Sequence, residues 1–213
     1  MSAVEFASLL CSRLCHDLVG PVGALFNGVE LLADENDPDM RARCLELLSD
    51  SARQTTNKLK FFRLAFGAAG GFGEHVDTRE AQAALEGLFG AERRIVLEWQ
   101  VGATSLPKNA VKLLLNLAMI AGDAMLRGGR LQIAAERAGG GLDMAVRAEG
   151  PRILVDPELT AALGGATTLD QLTPRAAAAF LVCALIADLD GHLQTSQPGE
   201  GVLVFGVTLP KAE

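Results

Sequence analysis

ADENDPDM, residues 33–40, separates two long stretches in which apolar residues recur at helical spacing, and its reading decides how those stretches meet. Asp37 can accept hydrogen bonds from the free N–H groups of a helix whose first position is Pro38, where a missing N–H costs nothing. One helix stops and another starts within about six residues, which makes the two antiparallel neighbours. Upstream, Leu14, Leu18, Leu25, Val29 and Leu32 follow at steps of 4, 7, 4 and 3. Downstream, Leu45, Leu48, Ala52, Thr55, Leu59, Phe62 and Phe66 alternate steps of 3 and 4, the pattern of a left-handed bundle seam. A two-helix hairpin covers only part of each apolar stripe. A second copy completing a four-helix bundle is the simplest remedy, so a homodimer is expected; the competing arrangement lays the hairpin on the chain's own C-terminal half.

Past this hairpin, GAAGGFGEH (67–75) is a Gly-rich break and reads as a linker, dividing the chain into a helical unit at 1–70 and a second unit at 76–213. The second unit opens with a helix near TREAQAALEGLFG and the strand RIVLEWQV, followed by a helix in PKNAVKLLLNLAMIAGDAML. Strands RLQIAAE and LDMAVRAE come next, joined by AGGG. A short helix near PELTAAL, a helix in PRAAAAFLVCALIADL and a closing strand pair, HLQTSQ and GVLVFGVTLP, complete it. This order predicts an α+β layer, a sheet covered by helices on one face.

The bulk properties narrow the function. The 213 residues are 49% apolar and 21% charged with a formal charge of −7, so there is a core to bury and no basic stripe for nucleic acid. Glu5, Arg13, His16 and Asp17 interrupt the N-terminal segment as a signal peptide would not allow. No uncharged run exceeds 12 residues, the length of 176–187, against the ~20 needed to span a bilayer, so a cytoplasmic protein without a membrane partner is expected. Cys11, Cys15, Cys44 and Cys183 form neither a C-x-x-C pair nor a zinc ligand set. Cys11-x-x-x-Cys15-His16 is one residue longer than a c-type haem attachment motif, and its cysteines read as small packing residues.

On a helix His16 sits about 160° from Leu14 and Leu18, so it faces away from the seam. Leu9, Ser12, Arg13, Gly20, Gly23 and Asn27 share its face. Each glycine inside a helix costs roughly 1 kcal/mol relative to Ala, which suits a cleared shelf where another surface approaches the imidazole. Alternatively Gly20 and Pro21 mark a kink, since Pro21 gives no N–H to the carbonyl of Asp17. An outward imidazole beside a carboxylate is equipped for phosphate carriage: one ring nitrogen attacks while Asp17 holds the other and fixes the tautomer. Arg13 either screens phosphoryl charge or only solvates the helix surface.

HDLVGP, with His16, Asp17 and Pro21 in place, resembles the H-box of sensor histidine kinases, H-[DE]-x-x-x-P, which lies on the first helix of a dimeric four-helix bundle. LLLNLAMIAGDAM is similar to the kinase N-box helix, VRAEGPRI to the strand and loop D-x-G-x-G, and ADLDGHLQTSQPGEGVLVFGVTLP to the closing helix and hairpin. The resemblance implies a Bergerat-type α/β sandwich after the hairpin. It also shows where the chain departs. The metal-binding asparagine falls on Ile120, the base-binding aspartate on Ala148 and the second glycine after it on Arg152. PRAAAA stands where glycines would open a helix beneath the phosphates. Shifting the N-box by four residues offers Asn116 as the metal ligand instead.

A kinase-like chain with the phospho-histidine helix and a degenerate nucleotide site resembles the ChpT family of histidine phosphotransferases, to which RLCHDLVGPVGA and the helix end LAFGA (64–68) are similar. The resemblance implies a dimeric relay that moves a phosphoryl group between receiver aspartates through phospho-His16, assisted by Asp17, without ATP. It implies no cofactor of its own, with Mg²⁺ coming from the receiver. The implied donor is the receiver of a CckA-type hybrid kinase and the implied acceptors are CtrA-like and CpdR-like response regulators. They would dock over Leu9, Ser12, Arg13, Gly20, Gly23 and Asn27. Two readings compete with it: a divergent ATP-dependent kinase, and a non-enzymatic dimeric interaction module.

Overall fold

A computed structural model describes residues 3–67, 74–90, 94–164, 173–196 and 201–211. The hairpin consists of α1 (Ala3–Asp34) and α2 (Pro38–Phe66). Asp37 caps α2 as expected, its carboxylate accepting from the N–H groups of Asp39 and Met40 with Pro38 at the first position. Arg41 closes the turn by donating to the carbonyls of Leu32 and Glu35 at 3.1 and 2.7 Å, which satisfies oxygens that the end of α1 leaves open. The helices approach closely at Gly28, where a Cβ would lie 2.9 Å from Leu48 Cδ2.

The remaining chain forms β1 (His75–Asp77), α3 (Thr78–Phe89), β2 (Ile95–Val101), β3 (Ser105–Pro107), α4 (Lys108–Ala124), β4 (Gly129–Ala138), β5 (Gly141–Glu149), α5 (Pro157–Leu163), α6 (Ala177–Asp188), β6 (His192–Thr195) and β7 (Val202–Leu209). Five strands make one sheet in the order β2-β4-β5-β7-β6, antiparallel except for the β2–β4 pair. Alternation sets its two faces. Leu131, Ile133, Met144, Val146, Leu203 and Phe205 are buried toward the helices, while Arg130 and Glu149 are exposed. Gly139 and Gly140 adopt φ of 59° and 90° in the β4–β5 turn, a conformation that L side chains resist. A second, two-stranded sheet of β1 and β3 was not legible in the sequence, because three-residue strands are too short to show a period. α6 starts at Ala177 rather than Pro174, with Ala176 to Ala179 all buried. Of the expected linker, residues 68–73 lie outside the described residues.

The hairpin divides its apolar surface between two uses. At one end Phe61, Phe62, Leu64 and Ala65 of α2 are buried among α3 and α4, and Phe6 of α1 meets Phe180 of α6 at 5.1 Å between ring centroids. Arg63 pairs with Glu80 at 2.9 Å across the same junction. The competing arrangement thus holds for this end of the hairpin. Beyond it, Val19, Val22, Phe26 and Val29 of α1, with Leu45 and Leu59 of α2, stay exposed. The expected seam is corrected accordingly: Val29, Leu45, Ala52 and Leu59 face outward, and the contact inside the hairpin is carried by Gly28, Cys44, Leu48 and Ser51 together with half-buried Leu25 and Leu32. One helix contact buries only a narrow stripe, so a helix with apolar residues on two flanks leaves one of them in water.

The cysteines divide the same way. Cys44 is buried and Cys183 lies 3.4 Å from the carbonyl of Ala162, where burial pushes its thiol pKa up. Cys11 and Cys15 are exposed, contrary to the packing role expected of them. By length and composition alone α1 is apolar enough to cross a membrane, which the run-length criterion missed because it counted only uncharged residues.

Candidate functional site

His16 stands on α1 with its side chain 79% exposed, as the helical phase requires. Its Nδ1 lies 3.1 Å from Asp17 Oδ1. An ionised carboxylate can only accept, so in the neutral ring it is the Nδ1–H tautomer that makes this bond, with the Nε2 lone pair turned to solvent. The other oxygen of Asp17 accepts from Arg13 Nε at 2.7 Å, one turn back, and Arg13 Nη2 reaches Asp123 Oδ2 at the end of α4 at 3.2 Å. Four side chains from two units of the fold therefore form one chain of polar contacts, Asp123 to Arg13 to Asp17 to His16.

Burial penalises the charge on Arg13, but Asp17 and Asp123 outweigh that penalty and hold its pKa above the ordinary arginine value. With 15% of its side chain exposed, Arg13 is a bridge between two carboxylates rather than the outward group that the sequence suggested. Leu9 also departs from the open face. It is half-buried against the core of the α/β unit, because α6 comes up beside the start of α1. Ser12 and Asn27 are exposed on α1. Around Gly20 and Gly23 a Cβ would meet nothing within 4 Å, so the surface below the imidazole is open space.

Pro21 does not break α1, which runs unbroken from Ala3 to Asp34. The carbonyl of Asp17, which Pro21 cannot serve, accepts from Lys58 Nζ of α2 at 2.7 Å. Lys58 and Asp123 are the two residues that sequence reasoning missed. The first had a signal: a proline inside a helix orphans the carbonyl four residues earlier, and the Asp37 turn sets residue 58 opposite residue 17. The second had none, because no local pattern relates position 13 to position 123.

Two of the positions at which the kinase resemblance fails lie inside the fold, whereas Arg152 is exposed. Ile120 and Ala148 are 2% and 0% exposed within the core. Asn116 is fully buried, and its amide N–H donates to the carbonyl of Ala65 at 3.1 Å, pinning α4 to the end of α2, while its Oδ1 has no hydrogen-bond partner among the described residues. Among the described residues no group of three or more His, Cys, Asp or Glu side chains is arranged to hold a metal ion.

With this geometry in hand, residues 78–201 match the family model described as the histidine phosphotransferase C-terminal domain. The chain is 39% identical over 166 residues to Protein phosphotransferase ChpT of Brucella abortus (strain 2308), covering 78% of each sequence. Among solved structures it resembles a bacterial phosphotransferase at 30% identity and a TM-score of 0.85, covering 97% of both chains. Full-length ShkA in complex with AMPPNP superposes with a TM-score of 0.50 at 19% identity, over 99% of this chain and 46% of that one, a likeness of fold alone.

Proposed function

The chain belongs to the histidine phosphotransferase family, and from that premise we propose that His16 carries the phosphoryl group between receiver aspartates, without ATP. The observation that carries this reading is the imidazole itself: exposed, held at Nδ1 by Asp17, free at Nε2, and set above the open surface of Gly20 and Gly23.

In the proposed reaction the lone pair of Nε2 attacks the phosphorus of a receiver aspartyl phosphate in line. A P–N bond forms, the P–O bond breaks, and its electron pair leaves with the receiver carboxylate. Positive charge grows on the ring during this step, and Asp17 Oδ1 is placed to stabilise it through the Nδ1–H. The second transfer reverses these steps toward another receiver. Phosphoryl transfer asks mainly for positioning and neutralisation, so one oriented imidazole suffices when the receiver brings its own Mg²⁺.

The absence of an ATP step is supported by the apolar burial of Ile120 and Ala148 and by the buried run Ala176 to Ala179, which puts alanines at the start of α6 where an anion-binding helix start carries glycine. Receivers are the partners of a phosphorelay transferase; those of a CckA-type hybrid kinase and of CtrA-like and CpdR-like regulators are the specific ones proposed. Homodimerisation through the exposed flanks of α1 and α2 is proposed because these form one apolar surface of the hairpin. In this reading the apolar length of α1 serves a bundle in the cytoplasm, since Arg13, Asp17 and Lys58 anchor α1 to α2 and α4 through polar contacts. The test is incubation with a phosphorylated receiver in the absence of ATP. Wild type acquires acid-labile phosphate and His16→Ala does not; label on the mutant would refute the assignment.

A further inference from the structure

Asp17 has two carboxylate oxygens and two suitors, the Nδ1–H of His16 and the guanidinium of Arg13. A guanidinium beside a carboxylate favours the two-pronged fork, in which parallel N–H donors take both oxygens. Here it does not do so. Arg13 gives Asp17 only Nε, on Oδ2, and turns Nη2 away to Asp123 of α4. Oδ1 is thereby left to His16.

We infer that Asp123 is a positioning residue for the transfer reaction: by engaging the second arm of Arg13 it reserves one oxygen of Asp17 for His16 Nδ1 and so keeps Nε2 as the nucleophile. This rests on the reading of His16 as the phosphoryl carrier. It gives the degenerate α/β unit a part in the chemistry, because the group that sets the imidazole's tautomer is itself set by the C-terminal turn of α4. Without Asp123 the guanidinium is free to rotate onto both oxygens of Asp17, where it competes with the Nδ1–H for Oδ1 and weakens that bond, so the two neutral tautomers mix.

The experiment compares wild type, Asp123→Ala, Arg13→Lys and the double variant in transfer from a phosphorylated receiver, with ¹⁵N spectra of the imidazoles. His16 is one of only three histidines, so its signals are readily assigned. Asp123→Ala is expected to lower the single-turnover rate constant about five- to tenfold with the receiver concentration at half-saturation unchanged, and to shift His16 from the Nδ1–H tautomer toward a mixture. A lysine cannot form the fork, so adding Asp123→Ala to Arg13→Lys is expected to change the rate less than twofold, or about 0.4 kcal/mol. Glu80→Ala cuts a separate junction ion pair, Arg63–Glu80, which does not reach Asp17, and is expected to leave rate and tautomer as in wild type. The inference is overturned by a wild-type rate or tautomer in Asp123→Ala, by a loss from Asp123→Ala that is the same with and without Arg13→Lys, or by an equal loss in Glu80→Ala. Any of these leaves the role of His16 standing, whereas transfer by His16→Ala removes that role whatever Asp123 does.

Discussion

Lys58 and Pro21 make a thermodynamic pair that can be separated. Pro21 withholds the N–H that would close the helical bond to the carbonyl of Asp17, and Lys58 Nζ replaces it at 2.7 Å. Lys58→Met keeps the length of the stem and removes the donor, leaving a partly covered carbonyl without its bond. A hydrogen bond from a charged donor contributes about 1.5–3 kcal/mol, and with the site half open to water the lower figure, about 1.5 kcal/mol, is the expected cost. For a chain of this length that lowers Tm by roughly 3–6 °C. In a Pro21→Ala background the new N–H serves the same carbonyl, so Lys58→Met is expected to cost only about 0.5 kcal/mol, leaving a coupling of about 1 kcal/mol between the two positions. Pro21 is buried, and the packing lost with its ring enters both arms of the cycle and cancels. The measurement is calorimetric or urea unfolding of the four proteins at one fixed concentration, because an oligomer's Tm depends on it. Equal losses on removing Lys58 from the wild-type and Pro21→Ala proteins would refute the reasoning, showing that the lysine stabilises the hairpin by some route other than the orphaned carbonyl.

Two further outcomes test the surfaces. Phe26 is 64% exposed in the middle of the apolar flank, so Phe26→Glu is expected to give a monomer by analytical ultracentrifugation at micromolar concentration; an unchanged dimer would move the interface elsewhere. Gly23→Ala is expected to raise stability by roughly 1 kcal/mol, since a Cβ there meets only open space, while Gly23→Arg slows transfer to a receiver without lowering Tm. Transfer by Gly23→Arg at the wild-type rate would show that no partner surface comes close to that glycine.

The hairpin was legible because its signals are local. A capping Asp37, a Pro38 that starts a helix and two periodic stripes specify two helices and a turn without reference to anything distant. The alternation in β4, β5 and β7 likewise predicts a sheet with one covered face, and β1 and β3 escaped only through their shortness. The outward phase of His16 follows from the same arithmetic of 100° per residue. Which of two apolar flanks the hairpin spends on itself was not legible, because Leu45, Leu48, Leu59 and Phe62 carry the same hydrophobicity whichever way they face.

The sequence by itself determined what each residue could be: a helix cap, a seam position, an outward nucleophile, an orphaned carbonyl. Only the tertiary structure decided what each residue meets. It made Arg13 a bridge between two carboxylates, set the amide of Asn116 against the carbonyl of Ala65, and brought Lys58 to the carbonyl of Asp17 and Asp123 to Arg13. The physical reason is range. Caps, turns and periodicity are set by neighbours a few residues away, whereas a hydrogen bond between residues 13 and 123 exists only after α1 has docked against the end of α4.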